Sequence, residues 1–450
     1  MTPNAGDITQ ILARFATGFR SEAIPARVRH EARRALVNGL GAALGAAARP
    51  EVSIPIAVLA GQGAGGVFSV IGRPERLAML DAAFVNGIAI NALDFDDTHL
   101  PTVIHPTAPI APPLIALAER GGVTGRALVD AFALGIEVAC RLGNAVSPGH
   151  YARGFHITAT CGIFGATAAA GRLIGLNMER MVAAFASAGG QASGLVENLP
   201  TMAKSTSVGG AARGGLLSAL LAERDWSGAS QSIEGRFGFA RVLADQFEPS
   251  AITGGLGEQW EVLKNDYKPY PCGVVLNPVL DACLALAASG AIDPIRIADV
   301  TVRGHKLLGI RADRGVVSDG QLTRLSIHHC AAIAFVHRRA GVDEFTEACA
   351  REPAVQALAA KVRYQEDPAC PVESARVVVH LTDGTEHTHA VAHARGSAAR
   401  PLTDADLEAK ARMLAAYGAP GCNIDRLIES VWYLDELPDA RVLAERARQA

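Results

Sequence analysis

The sequence is poor in the features that mark several classes of protein. Only 19% of its 450 residues are charged, and no long basic run interrupts a formal net charge of -3. This balance makes nucleic acid and anionic membrane surfaces poor candidates as partners. The eight cysteines lie far apart without a C-x-x-C pair, which is typical of small buried side chains in a reducing compartment. The opening MTPNAGDITQILARF lacks a basic segment followed by an apolar one, so we expect a cytoplasmic protein.

Apolar residues are abundant and follow helical spacing over more than half of the chain. They make up 49% of the sequence, which favours an ordered globular fold. Up to about residue 250, segment after segment repeats them at a period of 3.6, and strand patterns are nearly absent. Glycine and alanine recur on these apolar faces and allow helix axes to approach closely. The sequence therefore predicts a large all-α domain, and the glycine-rich EPSAITGGLGEQW near residues 248–260 is its expected linker.

The pattern changes after this linker. ADVTVRGHKL, ARVVVHL and TEHTHAVAHA are typical of strands, and Asp383-Gly384 between the last two predicts a hairpin. From Thr403 the chain returns to helix, with Thr403 and Asp406 at capping-box spacing. We therefore predict a mainly α fold in which residues 1–255 and 400–450 form the helical domain and residues 256–399 form a smaller α+β domain.

Two patterns invite a cofactor or a metal, and both have simpler explanations. GQGAGG at Gly61–Gly66 has the glycine spacing of a dinucleotide loop, but it follows a helical stretch and precedes a strand-like one, so a plain turn explains it better. His387 and His389 share one face of a hairpin strand near His393, yet an exposed polar face accounts for them equally well. The sequence predicts neither a cofactor nor a metal in catalysis.

The most informative segment is NALDFDDTHLPTVIHPTAP, which ends a long apolar helix. It places several acids where the helix dipole disfavours negative charge, and if the helix continued, Asp94, Asp97 and Thr98 would share one face. The prolines that follow are expected to hold His105 in a fixed, non-helical loop. A carboxylate beside an imidazole is what a general acid or base needs near neutrality. A solvated acidic turn would account for this segment equally well if it stood alone.

Other polar groups lie in glycine- and proline-rich segments that a ligand could reach. His156 precedes a small-residue helix in GFHITATCG, and TMAKSTSVGGAARGG carries Lys204 and Arg213. NDYKPYPCG adds Lys268 and Tyr270 at the junction of the two predicted domains. Helix starts in such segments offer N–H groups to anions. Cations and acid/histidine pairs in a domain of low charge predict a site that binds a small polycarboxylate and moves protons.

These segments resemble the MmgE/PrpD family, which contains 2-methylcitrate dehydratases, cis-aconitate decarboxylases and iminodisuccinate epimerases. The resemblance spans nearly the whole chain, and the DFDDT-to-HP segment is specific to the family. It implies a helical main domain built from both ends of the chain, a smaller α+β lid, a homodimer and a cofactor-independent active site between the domains. The implied catalytic residues are Asp94, Thr98, His105, His156 and His329. The implied substrate-binding residues are Lys204, Arg213, Lys268 and Tyr270.

The chain departs from the family pattern at four positions. Gly210 replaces an expected arginine, Ser207 an expected histidine and His329 an expected tyrosine, and Gly273 stands where the decarboxylases resemble one another in having histidine. These departures speak against a decarboxylase. We therefore predict a hydro-lyase of the 2-methylcitrate dehydratase type, with an epimerase of a dicarboxylate as the alternative and a decarboxylase or a non-catalytic carboxylate-binding protein as less favoured ones. An Asp-rich magnesium-dependent isoprenoid synthase fits poorly, because DFDDT lacks the D-D-x-x-D spacing.

Overall fold

The computed structural model describes residues 7–61 and 65–449, and its fold is mainly α, as predicted. The chain forms two compact units. The first contains residues up to Ala92, Asp96–Asn265 and the residues from Thr403 onward, and the second contains Leu93–Phe95 and Asp266–Leu402. Residues 62–64, in the middle of the GQGAGG segment, lie outside the described residues, so the turn expected there stays a prediction.

The first unit is built almost entirely from helices. Its α-helices are Ile8–Gly18, Ala26–Ala46, Pro50–Ala60, Met79–Asn91, Thr107–Arg120, Gly125–Val146, Gly149–Ala152, Ile157–Leu173, Met178–Gly189, Ala203–Glu223, Phe239–Leu243, Ser250–Thr253, Asp404–Gly418, Ile424–Trp432 and Val442–Arg446. Short 3-10 helices lie at Ser21–Ala23, Val196–Asn198, Glu261–Lys264 and Leu434–Glu436, and short strands at Phe68–Ser69, Arg76–Leu77 and Asp97–His99.

Small residues set the closest helix approaches in this unit. A Cβ added at Gly135 would lie 2.7 Å from the backbone oxygen of Gly165 on the neighbouring helix, and one added at Gly41 would lie 2.8 Å from Cα of Ala411. The second contact packs the C-terminal helix Asp404–Gly418 against an N-terminal helix. Thr403 and Asp406 form the predicted capping box at the start of that helix.

The boundary between the units lies after Asn265 rather than after residue 255. The reason is the buried Arg141, whose guanidinium binds the glycine-rich segment to the first unit instead of leaving it as a linker. Its four backbone acceptors are the carbonyl oxygens of Ile252 at 2.8 Å, Gly254 at 2.7 Å, Gly255 at 3.0 Å and Gln259 at 2.9 Å. The side chain of Glu137, one turn earlier on the same helix, pairs with the same guanidinium.

The second unit combines a four-stranded sheet with short helices. The strand order is Val362–Glu366, Ile297–Gly304, Ala375–Leu381, Glu386–Val391; the first pair is parallel and the other two are antiparallel. Its α-helices are Asn277–Ala288, Lys306–Ala312, Gly320–Thr323, Ile327–Val336, Glu347–Ala350 and Pro353–Ala359, and its 3-10 helices are Val274–Leu276, Pro294–Arg296 and Val342–Phe345. The remaining strand, Asn265–Tyr267, lies at the boundary of the two units.

The predicted hairpin is confirmed, and one strand of the four-stranded sheet escaped prediction. Gly384 has φ 85° in the turn, a conformation that glycine adopts without a steric penalty. The strand Val362–Glu366 lies at the sheet edge and buries little beyond Val362, so only Val362 and Tyr364 mark its inner face and the strand signal in the sequence is weak. Within the described ranges no single helix is long and apolar enough to cross a membrane, although the bent pair Ala26–Ala46 and Pro50–Ala60 passes by length and composition when taken together.

Candidate active site

The loop that carries His105 is a tight, closed turn in the first unit. It leaves the strand Asp97–His99 and returns through a bridge between His99 and Ile104, in which the His99 N–H donates to the Ile104 carbonyl at 2.7 Å. The next helix begins at Thr107. The prediction that His105 lies in a fixed, non-helical loop is therefore confirmed.

The ring of His99 anchors this turn from inside the unit. His99 is fully buried, and its Nδ1 lies 2.7 Å from the hydroxyl of Thr102 while its Nε2 lies 2.9 Å from the Glu261 carboxylate. Burial is the main cause that lowers the pKa of His99, although Glu261 opposes the shift. Both ring nitrogens are engaged in structural contacts, so His99 positions the turn.

The acids before the turn do not continue the helix, contrary to the expectation that Asp94, Asp97 and Thr98 share one helical face. The helix Met79–Asn91 ends earlier, and Asp94 has φ 52°. This left-handed conformation is one that aspartate tolerates better than most residues, and it breaks the helical path. Asp97 and Thr98 instead belong to a strand.

Three oxygen atoms surround Nδ1 of the His105 imidazole. Its Nδ1 lies 2.9 Å from the Asp97 carbonyl oxygen, 3.2 Å from the Thr98 hydroxyl and 3.6 Å from Oδ1 of Asp96. A carbonyl oxygen only accepts, so Nδ1 carries the proton in the neutral ring and Nε2 carries the lone pair. The structure brings Thr98 and His105 together as predicted and adds Asp96, whose charge stabilises an imidazolium.

Two buried side chains hold the Asp96 carboxylate in place. Asn91 donates its amide to Oδ2 of Asp96 at 2.8 Å, and the hydroxyl of Ser205 donates to the Asn91 amide oxygen at 3.2 Å. The other carboxylate oxygen, which faces His105, accepts no hydrogen bond from the described residues. Asp96 is fully buried, so water screens its interaction with His105 only weakly.

The pKa of the neighbouring Asp97 is strongly raised. Burial, followed by the negative charge of Asp96, raises the pKa of Asp97 to about 7. One of its carboxylate oxygens accepts from the amide of Asn265 at 2.8 Å. Two adjacent buried carboxylates of which one resists ionisation are a common arrangement at acid/base sites.

His156 has a similarly fixed ring at the start of the helix Ile157–Leu173. Its Nδ1 lies 3.0 Å from the hydroxyl of Ser207, which itself donates to the Lys204 carbonyl at 2.8 Å. Because the hydroxyl proton is used on that carbonyl, His156 must donate, so its neutral ring also has the lone pair on Nε2. The backbone N–H of His105 donates to the hydroxyl of Thr158 at 3.2 Å, which places the two histidine segments side by side.

Lys204 and Arg213 lie on the same helix but on different sides of it. The helix Ala203–Glu223 begins just before Lys204, and nine positions correspond to two and a half helical turns. Arg213 is half exposed, and its guanidinium lies 3.5 Å from the Asp81 carboxylate. The structure therefore brings Lys204, but not Arg213, toward Ser207 and His156.

Gly210, which stands where the family is expected to have arginine, also lies within this helix. Gly210 follows Ser207 by three positions and so shares its side of the helix. A Cβ added at Gly210 would meet no atom within 4 Å. The position has room for a side chain and lacks one.

In the second unit, the predicted cation Lys268 forms a buried ion pair. Its Nζ lies 3.0 Å from both the carbonyl and Oδ1 of Asp94, and the lysine side chain is only 2% exposed. The structure thus joins two of the predicted site residues that the sequence places far apart. A charge pair this deeply buried is costly to break.

Tyr270 and His329 are bound to other residues of the second unit. The Tyr270 hydroxyl donates to the Asp281 carboxylate at 2.7 Å, and burial together with that carboxylate raises the pKa of the phenol. His329 is buried with Nε2 2.7 Å from the Glu344 carbonyl oxygen, and burial lowers its pKa to about 4. Its imidazole is therefore neutral near pH 7 and acts as a hydrogen-bond donor to the backbone.

Sequence reasoning missed the residues that support the two histidines of the first unit. Asn91, Thr158 and Ser205 gave no signal, because short polar side chains are common near helix ends. Asp96 was noted only as one acid of three, and Ser207 only as a departure from the family. The contact between Asn91 and Asp96, five positions apart, was the one that local sequence could have indicated.

Comparisons with known proteins point to one family over most of the chain. The model of the MmgE/PrpD N-terminal domain matches residues 10–252, and that of the C-terminal domain matches residues 270–434. The cis-aconitate decarboxylase of Homo sapiens is 30% identical over 392 residues, which cover 83% of this chain and 81% of the relative. The cis-aconitate decarboxylase-like protein oryM of Aspergillus oryzae is 26% identical over 467 residues, covering 97% and 96%. The cis-aconitate decarboxylase of Aspergillus terreus is 26% identical over 471 residues, covering 97% and 95%. The resemblance inferred from the motifs is thereby confirmed, and the chain belongs to the MmgE/PrpD family.

Proposed function

We propose that this protein is a cofactor-independent acid/base lyase that acts on a small polycarboxylate. The observation that carries the proposal is the setting of His105, whose Nδ1 faces the Asp97 carbonyl at 2.9 Å and the Asp96 carboxylate at 3.6 Å. This setting directs basicity to Nε2 and stabilises the imidazolium that forms when the ring accepts a proton. The curated relatives, all named as decarboxylases of a tricarboxylate or as similar to them, support a lyase acting on such acids.

The proposed reaction begins with removal of a proton from a carbon next to a carboxylate. His105 accepts this proton, and the electron pair moves into the carboxylate as an enolate. A cation beside that carboxylate stabilises the growing charge, and Lys204, one turn before the Ser207 that holds His156, is the proposed group in the first unit. His156, which must enter the reaction as an imidazolium, then donates the proton on its Nε2 to the departing hydroxyl and is left as the neutral ring. Exchange with water returns both histidines to their starting states. The C–H and C–O bonds break, a C=C bond forms and water leaves.

Dehydration of the 2-methylcitrate type is the first candidate for the exact reaction. It needs an acid and a base on different groups, and the two histidines lie on adjacent segments with Nδ1 fixed, so one ring that starts neutral and one that starts protonated would divide these roles. Decarboxylation is the second candidate, favoured by the names of the curated relatives. It would use a histidine as an acid, protonating the carbon from which CO₂ leaves. Gly273, which stands where the decarboxylases resemble one another in having histidine, argues for the first candidate.

The remaining parts of the proposal come from the family. They are a homodimer, a lid role for the α+β unit and substrate contacts by Lys268 and Tyr270, whereas the proposed cytoplasmic location rests on the cysteine pattern of the sequence. Light scattering during size-exclusion chromatography tests the first of these, since a dimer has twice the mass of the 46.8 kDa chain.

The experiment that tests the function follows exchange and product formation together. The protein is incubated in D₂O with citrate, 2-methylcitrate, cis-aconitate and four-carbon dicarboxylates, and each mixture is followed by proton NMR, ultraviolet absorbance and CO₂ release. A dehydratase produces a conjugated double bond and new absorbance without CO₂. A decarboxylase releases CO₂ and places deuterium in its product.

The remaining outcomes contradict the lyase proposal. Deuterium exchange with a change in optical rotation, but without new absorbance or CO₂, would identify an epimerase. Tight binding of an acid with none of these changes over hours would identify a carboxylate-binding protein. The same assay after exhaustive chelation tests the prediction that catalysis needs no metal: activity that is lost on chelation while the protein stays folded, and that Mg²⁺ or Zn²⁺ restores, would reject the acid/base assignment.

A further inference from the structure

A second cluster of reactive side chains lies in the second unit, and none of its members is a predicted site residue. It consists of His337, Cys349 and Glu352, hereafter the His-Cys-Glu cluster. His337 directly follows the helix Ile327–Val336, and Cys349 belongs to the helix Glu347–Ala350. Glu352 stands immediately before the next helix. The cluster therefore joins the ends of three short helices, and the proposed lyase reaction uses none of its members.

The three ligand atoms already have nearly the spacing of a metal site. Nε2 of His337 lies 3.6 Å from Sγ of Cys349 and 2.9 Å from Oε2 of Glu352, and all three atoms lie within 4.8 Å of one another. A tetrahedral zinc ion holds nitrogen and sulfur ligands about 3.6 Å apart and nitrogen and oxygen ligands about 3.4 Å apart, given its usual bond lengths. The first distance agrees, and the second needs a small rotation of the Glu352 side chain.

The backbone fixes all three positions. The N–H of His337 donates to the Ile333 carbonyl at 2.8 Å, that of Cys349 donates to the Thr346 hydroxyl at 3.3 Å, and that of Glu352 donates to the Cys349 carbonyl at 3.1 Å. Held in this way, the ligands lose little conformational entropy when an ion binds. The side chains of His337 and Glu352 are 25% and 42% exposed, so an ion can enter and water can complete the coordination.

Local charge also favours a dication. Burial, together with the nearby carboxylates of Glu352 and Glu344, raises the pKa of the Cys349 thiol to about 12. Arg339 lies 2.6 Å from Glu344 and neutralises it. The charges left to balance are those of Glu352 and of the Cys349 thiolate that a metal would generate. A divalent cation compensates both charges, and the bond between the metal and the thiolate offsets the cost of ionising a buried thiol.

We propose that the His-Cys-Glu cluster binds one zinc ion through Nε2 of His337, Sγ of Cys349 and a carboxylate oxygen of Glu352. Zinc is the ion that this nitrogen, sulfur and oxygen donor set fits, since magnesium and calcium prefer oxygen ligands. Binding forms the zinc–sulfur bond and releases the thiol proton to water, with no change in oxidation state. A water molecule takes the fourth position. The bound ion ties together the three helix ends and stabilises the second unit.

The test compares metal binding by the full-length protein and by single variants. Purified protein is freed of metal by chelation and dialysed against buffered Zn²⁺, and bound zinc is measured by elemental analysis. Cys349→Ser should bind one zinc fewer per chain than the unaltered protein, or bind it at least about 10²-fold more weakly. Cys370→Ser is the matched control, because Cys370 is a free, partly exposed cysteine of the same unit. It should bind zinc as the unaltered protein does.

Co²⁺ provides a readout that does not depend on stoichiometry. Coordination of cobalt by a thiolate gives intense ultraviolet absorption, which should appear in the unaltered protein and in Cys370→Ser and disappear in Cys349→Ser. If Cys349→Ser does not fold, Glu352→Gln and His337→Gln make the same comparison at more exposed positions. Equal zinc affinity in all these proteins, or cobalt binding without thiolate absorption, would show that the cluster is only a set of hydrogen-bonded side chains.

Discussion

The two units use the same kinds of residue in different ways. In the first unit, His105 and His156 are each oriented through Nδ1, and their partners are a carbonyl, a hydroxyl and a carboxylate. In the second unit, Lys268 and His329 are bound to a buried counter-ion and to a backbone carbonyl, respectively. Residue type and glycine-rich context mark both groups equally. The partners of each side chain, which become visible only in the folded chain, separate groups set for proton transfer from groups that hold the fold.

Breaking the Lys268–Asp94 pair should have the largest effect on stability. Lys268→Met removes the buried cation that pairs with Asp94, so we expect a loss of about 3–5 kcal/mol in the free energy of unfolding. Denaturant unfolding measures it. Lys264→Met is the matched control: this lysine is 45% exposed beside Glu261, and its loss should cost less than about 1 kcal/mol.

The double variant Lys268→Met/Asp94→Asn should recover most of that stability, because no uncompensated charge remains. A Lys268→Met protein with unchanged stability and a raised KM would contradict the structural role and restore the simple picture of Lys268 as a substrate ligand.

Replacing His105 by glutamine should have the largest effect on catalysis. Glutamine keeps a hydrogen-bond donor but cannot carry a proton, so turnover should fall by about 10²-fold or more while thermal unfolding is unchanged. His30→Gln, on an exposed histidine, is the control. If the His105 variant keeps most of its activity, the proton transfer must be assigned to His156 or His329 instead.

Asp97 should make the protein less stable at alkaline pH. Its ordinary pKa of 3.8 is raised to about 7 in the folded protein. The unfolded chain therefore ionises at lower pH than the folded one, and the contribution of Asp97 to stability is complete below about pH 4 and falls as the pH rises toward 7. Asp97→Asn, which cannot ionise, should gain about 2 kcal/mol on the natural protein between pH 5 and pH 8.

Melting curves of both proteins across this pH range measure the gap, that is, the difference in stability between the natural protein and Asp97→Asn. Asp245→Asn serves as the control, since Asp245 is exposed and its replacement should leave the gap constant. A gap that stays constant for Asp97→Asn would mean that Asp97 is ionised in the folded protein throughout, and would remove it from the acid/base network.

Local patterns in the sequence predicted the helical character of the first unit, the hairpin of the second unit and the non-helical loop of His105. Apolar periodicity, the Thr403 capping box and the Asp383-Gly384 turn act over a few residues, so their signals are complete in the sequence. The prolines beside His105 likewise fix its backbone by steric restriction alone. The contact of Thr98 with His105 followed from their proximity in the chain rather than from the helix that was expected to carry it.

The contacts that escaped prediction join distant parts of the chain. Lys268 meets Asp94 across 174 positions, and Arg141 binds the Gly254 carbonyl across 113. Nothing near either residue in the sequence indicates its partner. The same limit explains the boundary at Asn265: a glycine-rich segment is typical of a linker until a buried guanidinium satisfies its carbonyls. Buried polar pairs of this kind need the tertiary structure.

The smallest expected effect separates two cations of one helix. Lys204 and Arg213 lie nine positions apart on Ala203–Glu223, and only Lys204 lies toward Ser207 and His156. Lys204→Ala should raise KM about tenfold, the loss expected for one charge-assisted hydrogen bond, and leave the melting temperature unchanged. Arg213→Ala, which removes only a half-exposed contact with Asp81, should change neither KM nor turnover by more than about twofold. Steady-state kinetics with the acid that the exchange assay identifies would decide the matter. A raised KM in both variants would mean that the substrate reaches both sides of this helix, and the division of roles drawn from the helix geometry would have to be abandoned.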